Sequence, residues 1–290
     1  MQASEPTATN PLLYKFYSPS TIIALREQTL AFTPPNCFND PFELLPKIIR
    51  DTRARRLRQK SGIFTKQRRE KLRRGYNREH GTNYTKALFN KLIEQHKVEI
   101  AAQVPIALED FPKRMAGQFI DIVSKDFGVA CFSKGWSHPL MWGHYASGFK
   151  GFCVGYKMPL DTDFNGLSRV EVEYSMDRYP LSEANVLNGE ISRDIVDGIV
   201  KTKSVHWAYE EEVRFIMDTS SAALTPNPDR SQFYLKHPIE AVHEIIIGMR
   251  CGEEGRKALR ELREDKYPHA ELYETVPGSS TFEVVRRLLI

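Results

Sequence analysis

The sequence predicts an α+β protein in which a mixed or antiparallel sheet forms the core and a helical segment is inserted. Alternating or short apolar segments, typical of strands, lie towards both ends of the chain. The segment from about 43 to 126 instead shows charge and helical spacing. No glycine-rich phosphate loop of the Rossmann or ATPase type is present. We therefore expect residues 11–290 to form a single domain that follows a disordered tail at 1–10.

The strands are placed by period-two alternation and by the turn residues that end each segment. Helices are expected after Ser18, between 137 and 148, over 181–203 and over 253–264, from their caps and spacing. Strands are expected at 12–17, 29–33, 128–133, 151–156, 169–174, 209–217, 243–248, 270–275 and 282–289.

The inserted segment is strongly basic. Thirteen Lys and Arg between Arg50 and Arg78 oppose two acidic residues, so this stretch carries +11 and the rest of the chain −7. Such a stretch is typical of nucleic-acid contacts, although a solvated helical face has the same composition. The candidate phosphate-binding residues are Arg55, Arg56, Arg68, Arg69, Arg73 and Arg74.

Composition favours a protein of the reducing cytoplasm. The four cysteines are far apart and form no CxxC pair, which argues against a disulfide framework or a zinc site. His138 and His144 lack the four-residue spacing of a zinc helix, so we expect no metal. No apolar run has the roughly 18 residues that a membrane span requires.

The segment 207–217 carries the most informative pattern. As a strand, it places Val213, Phe215 and Met217 on one face and Glu210, Glu212, Arg214 and Ile216 on the other. Paired carboxylates on a rigid strand suit the stabilisation of a sugar cation when a glycosidic bond is cleaved. The alternative is the solvated face of an edge strand.

A short aromatic helix supplies a second candidate element. Trp142 and Tyr145 are three residues apart and can share one face, where flat rings are able to hold a nucleobase or nicotinamide. The same rings are equally typical of a packed core.

Five ordered motifs resemble a bacterial family of unknown function, found in cytoplasmic proteins and often near mobile or defence loci. The resemblance spans nearly the whole chain outside the basic stretch and implies no activity. The motifs are LLYKF at 12–16, FNDPFE at 38–43, CFS at 131–133, LMWGHYA with KGFCVGY at 140–156, and WAYEEEVRF at 207–215.

Three of these segments are also similar to the ADP-ribosyltransferase superfamily, whose site is assembled from three strands. The resemblance implies a split sheet, NAD as substrate, Glu212 as the catalytic carboxylate and Glu210 as the residue that orients or deprotonates the nucleophile. Lys15 departs from the superfamily pattern, which has His or Arg there. The implied NAD-binding residues are Tyr14, Lys15, Ser133, Trp142, His144, Tyr145 and Arg214.

The leading expectation is an NAD-consuming transferase, a bacterial toxin or anti-phage effector with a macromolecular acceptor and a neutralising protein partner. A non-catalytic protein that binds nucleic acid or a partner through the basic segment is the alternative. A metal-independent nuclease using His138 or His144 with Lys203 has the least support from the residues.

Overall fold

The computed structural model describes residues 11–40, 42–49, 66–79, 81–95, 116–117, 119–121, 123–157, 167–182, 185 and 192–289. It contains helices and a mixed parallel and antiparallel sheet, which confirms the predicted α+β class with a mixed sheet core. The predicted tail at 1–10 lies outside the described residues.

The elements are numbered in chain order. The strands are β1 (Leu13–Tyr17), β2 (Thr29–Phe32), β3 (Lys47–Ile49), β4 (Phe127–Ser133), β5 (Phe152–Tyr156), β6 (Ser168–Glu171), β7 (Glu173–Ser175), β8 (Pro180–Ser182), β9 (Thr202–Ser204), β10 (Glu212–Asp218), β11 (Leu224–Pro226), β12 (Phe233–Lys236), β13 (Val242–Ile247), β14 (Glu271–Pro277) and β15 (Val284–Leu288). The α-helices labelled in the described ranges are α1 (Ile22–Arg26), α2 (Lys66–Glu79), α3 (Lys86–Gln95), α4 (Pro139–Tyr145), α5 (Arg193–Lys201) and α6 (Glu253–Lys266).

The chain divides into two compact units. The first comprises Met1–Leu44, Asp121–Met176 and Val200–Ile290, and the second comprises Leu45–Ile120 and Asp177–Ile199. In the second unit β3 pairs in parallel with β8, and helices α2 and α3 form a hairpin in which the rings of Tyr76 and Phe89 lie 5.9 Å apart.

The first unit is built on an eight-stranded sheet with the order β15-β14-β13-β5-β1-β4-β10-β6. Only β13 and β14 are parallel; every other neighbouring pair in this sheet is antiparallel. A smaller sheet has the order β11-β12-β2. Buried side chains of both sheets and of α1 and α6 form one core, which includes Phe32, Phe132, Phe215, Phe233 and Leu259. Each such side chain contributes about 1.5–3 kcal/mol when it is fully buried.

Strand β1 is held unequally by its two neighbours. It pairs with β5 along its whole length, from Leu13 opposite Tyr156 to Tyr17 opposite Phe152. Its recorded pairing with β4 is a single residue pair, Tyr14 opposite Ser133. The sheet is therefore nearly split between β1 and β4, with five strands on one side and three on the other.

The expected strand over 209–217 is wrong at its start. Residues Val205–Glu210 form a 3-10 helix instead, with the Ser204 hydroxyl accepting from the His206 N–H at its first turn. Glu211 then adopts a left-handed backbone with φ of 43°, and β10 begins only at Glu212. Beyond that point the alternation holds, since Val213, Phe215 and Met217 are all buried in the core.

Two further expectations are corrected. The alternating segment 169–174 is two strands, because the N–H of Val172 donates to the Glu212 carbonyl and β7 leaves to pair with β9. Within the described part of 181–203, Arg193–Lys201 is helical, whereas β8 and β9 occupy the two ends. Tertiary pairing overrides local propensity in both places.

No helix in the described ranges combines the length and the apolar character needed to cross a lipid bilayer.

Gly151 provides a test of the packing. A Cβ atom there would lie 1.9 Å from the carbonyl oxygen of Tyr17, so we expect Gly151→Ala to lower the free energy of unfolding by about 3 kcal/mol, the upper end of overpacking costs. Gly143, on α4, has nothing within 4 Å of that position, and Gly143→Ala should raise stability by up to about 1 kcal/mol. Urea unfolding of both variants checks this, and equal effects would contradict it.

Candidate active site

A cavity of about 910 Å³ lies in the first unit and receives side chains from both sheets. The large sheet contributes Lys15, Ser133 and Glu212, and the small sheet contributes residues such as Thr29 and Tyr234. The volume falls within the range of roughly 300–1,000 Å³ found for small-molecule sites. The cavity is therefore large enough for a ligand of dinucleotide size.

Five charged residues at this cavity form an ion cluster, which consists of Glu43, Lys203, Glu210, Glu212 and Arg214. Lys203 is its central cation. Its Nζ lies 2.6 Å from Glu210 Oε2, 2.8 Å from Glu212 Oε2 and 3.5 Å from Glu43 Oε1. All three carboxylates and Lys203 are buried, with 3–5% of each side chain exposed, so solvent screens these contacts little.

Arg214 is the second cation and lies deeper. Its side chain is fully buried, donates from Nε to Glu212 Oε1 at 2.9 Å and pairs with Glu43 through its terminal nitrogen. Another terminal nitrogen donates to the Val200 carbonyl at 2.7 Å. Arg214, predicted as an NAD-binding residue, is therefore paired with two glutamates of the protein itself.

The cluster controls the protonation of its members. Burial alone would raise the pKa of Glu212, but the charges of Arg214 and Lys203 outweigh it and lower that pKa to about 2. Burial raises the pKa of Glu43 above its ordinary value despite the same two cations. Burial would lower the pKa of Lys203, yet the surrounding carboxylates raise it overall. At neutral pH, Glu212 and Lys203 are therefore charged.

Tyr145 connects the aromatic helix α4 to this cluster. Its hydroxyl donates to Glu210 Oε1 at 2.7 Å, and the side chain lines the cavity next to Met141. Burial, followed by the charge of Glu210, raises the pKa of Tyr145, so the phenol keeps its proton. The protonated hydroxyl of Tyr145 thus lies directly beside the Glu210 carboxylate.

Lys15 bridges the gap between β1 and β4. Its Nζ donates to the Cys131 carbonyl at 3.0 Å and lies 5.2 Å from the ring centroid of Phe132. Burial lowers the pKa of Lys15. Ser133, at the end of β4, accepts from the Gly135 N–H at 3.1 Å and lines the cavity.

The other predicted NAD contacts lie differently. Tyr14 borders the cavity, but its hydroxyl donates to Glu244 at 3.0 Å. Trp142 is fully buried, stacks on Phe149 at 5.5 Å and donates to the Trp136 carbonyl at 2.7 Å. Trp142 therefore packs from α4 into the core. The residues that line the cavity do not include Trp142, the exposed His144 or Arg214.

Glu43 and Lys203 are the cluster residues that the sequence analysis did not assign to the NAD site. Glu43 ends the FNDPFE motif, whose Asp40 also accepts a hydrogen bond from the Trp207 indole at 3.0 Å. The FNDPFE motif could therefore have indicated that Glu43 belongs to the site. Lys203 lies in the three-residue strand β9, outside every quoted motif, and only the tertiary structure reveals its partners.

Metal binding has no support in the part of the chain that the structure describes, where no group of three or more His, Cys, Asp or Glu side chains is arranged to hold an ion. The clustered carboxylates already accept hydrogen bonds or ion pairs from Lys203 and Arg214.

The predicted nucleic-acid residues are only partly described. Arg55 and Arg56 lie outside the described residues, as do the side chains of Arg68 and Arg69. Arg73 is engaged within its hairpin, donating to Glu70 at 2.6 and 3.0 Å and to the Tyr84 carbonyl at 2.6 Å. Arg74 also pairs with Glu70, but 72% of its side chain is exposed.

The lowered pKa of Glu212 predicts an acid-sensitive contribution to stability. An unfolded Glu has a pKa of about 4.3, so the ionised Glu212 stabilises the fold above that pH, and this stabilisation is lost as the pH falls towards about 2. We expect the free energy of urea unfolding to fall less between pH 6 and pH 3 in Glu212→Gln than in the wild type.

Glu261 on α6, whose side chain is 59% exposed, provides the control, and Glu261→Gln should follow the wild-type curve. Equal pH dependence in the wild type and Glu212→Gln would contradict the prediction.

Comparison with known proteins adds a similarity to one family over part of the chain, and no activity. Residues 141–215, about a quarter of the chain, match a family model described as a protein of unknown function, DUF2971. The matched stretch runs from α4 to β10 and contains Tyr145, Lys203, Glu210, Glu212 and Arg214. No curated protein and no solved structure matches the chain. The match supports similarity to a domain of unknown function, and the matched segment of this chain contains four of the five residues of the ion cluster.

Proposed function

We propose that this chain cleaves the nicotinamide–ribose bond of NAD and transfers ADP-ribose, in the manner of the ADP-ribosyltransferase superfamily. One observation carries the proposal. Three of the positions named by the resemblance, Lys15, Ser133 and Glu212, lie on the adjacent strands β1, β4 and β10. Ser133 is the register partner of both Tyr14 and Glu212, so the three elements meet at one level of the sheet.

The surroundings of the carboxylates also support the proposal. The cavity is lined by both sheets, as a cleft for an extended dinucleotide requires. Tyr145 lies within hydrogen-bond distance of Glu210, so a nicotinamide ring packed against Tyr145 would sit beside the carboxylates. Lys15 lines the same cavity, and we assign to it the pyrophosphate of NAD.

The proposed chemistry follows from charge. When the bond from ribose C1′ to nicotinamide breaks, its electron pair leaves with nicotinamide, which becomes neutral, and the ribose becomes an oxocarbenium ion. Three carboxylates face the two cations of the ion cluster, so this part of the cavity favours added positive charge. A fixed carboxylate then stabilises the transition state in a water-poor site. The acceptor attacks C1′ and gives up a proton.

Loss of NAD would harm a bacterial cell. We therefore propose that the protein acts in the bacterial cytoplasm as a toxin or an anti-phage effector, kept in check by a neutralising protein partner. Growth arrest on expression of the wild type, but not of a variant without the two carboxylates, is the expected cellular result.

A direct test measures nicotinamide release from NAD by chromatography. We expect release by the wild type and a loss of at least about 10²–10³-fold in the double variant Glu210→Gln/Glu212→Gln. The control is Glu244→Gln, a buried carboxylate of the same large sheet that accepts from Tyr14 and Arg286, and it should retain activity. Absence of release together with absence of NAD binding in calorimetry would overturn the proposed function.

Nucleic acid is the second candidate partner, as the acceptor or as the ligand of a non-catalytic binding protein. The observation in favour is the basic composition of α2, which has seven Lys and Arg against two Glu and an exposed Arg74. Contacts to phosphates would position such a ligand without reading its sequence.

Salt dependence tests this partner. We expect the affinity for a random RNA or DNA oligonucleotide to fall with salt, and the slope of log affinity against log salt to shrink by about 1 in Arg74→Ala, which loses one phosphate contact. Lys257→Ala, at an exposed position of α6, serves as the control and should leave the slope unchanged. An affinity that does not change with salt concentration would contradict the prediction.

A further inference from the structure

The hydrogen-bond capacity of the two neighbouring glutamates differs. A carboxylate has about four acceptor positions. Glu212 accepts from Arg214 Nε at 2.9 Å, from an Arg214 terminal nitrogen at 3.1 Å and from Lys203 at 2.8 Å. Three of its positions are therefore occupied by the protein itself.

Glu210 retains room for a ligand. In the described part of the chain it accepts one hydrogen bond at each oxygen, from Tyr145 at 2.7 Å and from Lys203 at 2.6 Å. Each oxygen thus keeps an acceptor position, and the side chain lines the cavity. A ribose hydroxyl or an acceptor proton is able to bind Glu210 without displacing a protein group.

The ion pairs of Glu210 and Glu212 lead to the same conclusion as their hydrogen bonds. Glu212 pairs with both cations, sharing Arg214 with Glu43 and Lys203 with Glu43 and Glu210, whereas Glu210 pairs with Lys203 alone. The less compensated carboxylate exerts the stronger attraction on a developing cation. Glu210 is that carboxylate.

We infer that Glu210, and not Glu212, is the carboxylate that contacts the substrate, and that Glu212 is a positioning residue that holds Lys203 and Arg214 in place. The inference rests on the proposed function and reverses the roles that the superfamily resemblance implies. In the step, the bond from C1′ to nicotinamide breaks, the acceptor oxygen or nitrogen bonds to C1′, and the acceptor proton moves to Glu210.

The two roles predict different behaviour of single variants. We expect Glu210→Gln to lower kcat for nicotinamide release by about 10²–10³-fold while leaving the melting temperature and the affinity for a non-cleavable NAD analogue close to wild type. Glu212→Gln should lower the melting temperature more than Glu210→Gln does, because the buried Arg214 loses its main partner.

The split between kcat and affinity separates contact from positioning. In Glu210→Gln only kcat should fall, whereas in Glu212→Gln kcat and the affinity for the non-cleavable analogue should fall together, because the cluster that lines the cavity is disturbed. Wild-type activity within threefold in Glu210→Gln would overturn the inference while the proposed function stood. Absence of nicotinamide release by the wild type would instead defeat the proposed function. In either case, a larger fall in melting temperature for Glu210→Gln than for Glu212→Gln would overturn the positioning role.

Discussion

The convergence of three buried carboxylates on Lys203 and Arg214 is the constraint on which the arrangement of this site depends. The cluster joins the segment after β2 to three consecutive elements that are distant from it in sequence, the strand β9, the 3-10 helix and the strand β10. Removing one buried partner leaves an uncompensated charge, which typically costs about 3–5 kcal/mol of a total stability of about 5–15 kcal/mol. Those segments therefore fold into one geometry together, and the geometry of the cavity follows from it.

Stability alone does not account for such a cluster. Well-packed apolar side chains of similar volume often stabilise a core as well as a buried ion pair does. The cluster also borders a cavity formed where β1 and β4 share a single residue pair and where β2 meets β4 at one isolated bridge, Thr33 opposite Val129. Diverging strands beside concentrated charge form a polar pocket with a fixed lining, which is what recognition of a charged ligand requires.

Local patterns predicted the parts of the fold that local physics controls. The alternation of Val213, Phe215 and Met217 correctly predicted their burial. The same alternation failed at Glu210 and Glu211, because a capped 3-10 turn and a left-handed residue replace the start of the strand. Glu210 and Glu212 nevertheless meet at Lys203, through a turn and not along one strand face. Such a meeting depends on β9, a strand too short to leave a periodic signal.

Lys15 departs from the superfamily pattern, which has His or Arg at this position, and its contacts give the lysine a structural role. Lysine is a compact charge on a flexible stem, whereas arginine offers a planar fork. The Lys15 ammonium crosses the gap between β1 and β4 to the Cys131 carbonyl, so it supplies a link between two strands that barely pair. Burial lowers its pKa, and a nearby phosphate would favour the charged form again. A lysine at this position therefore links the two strands and also presents an amine to the cavity.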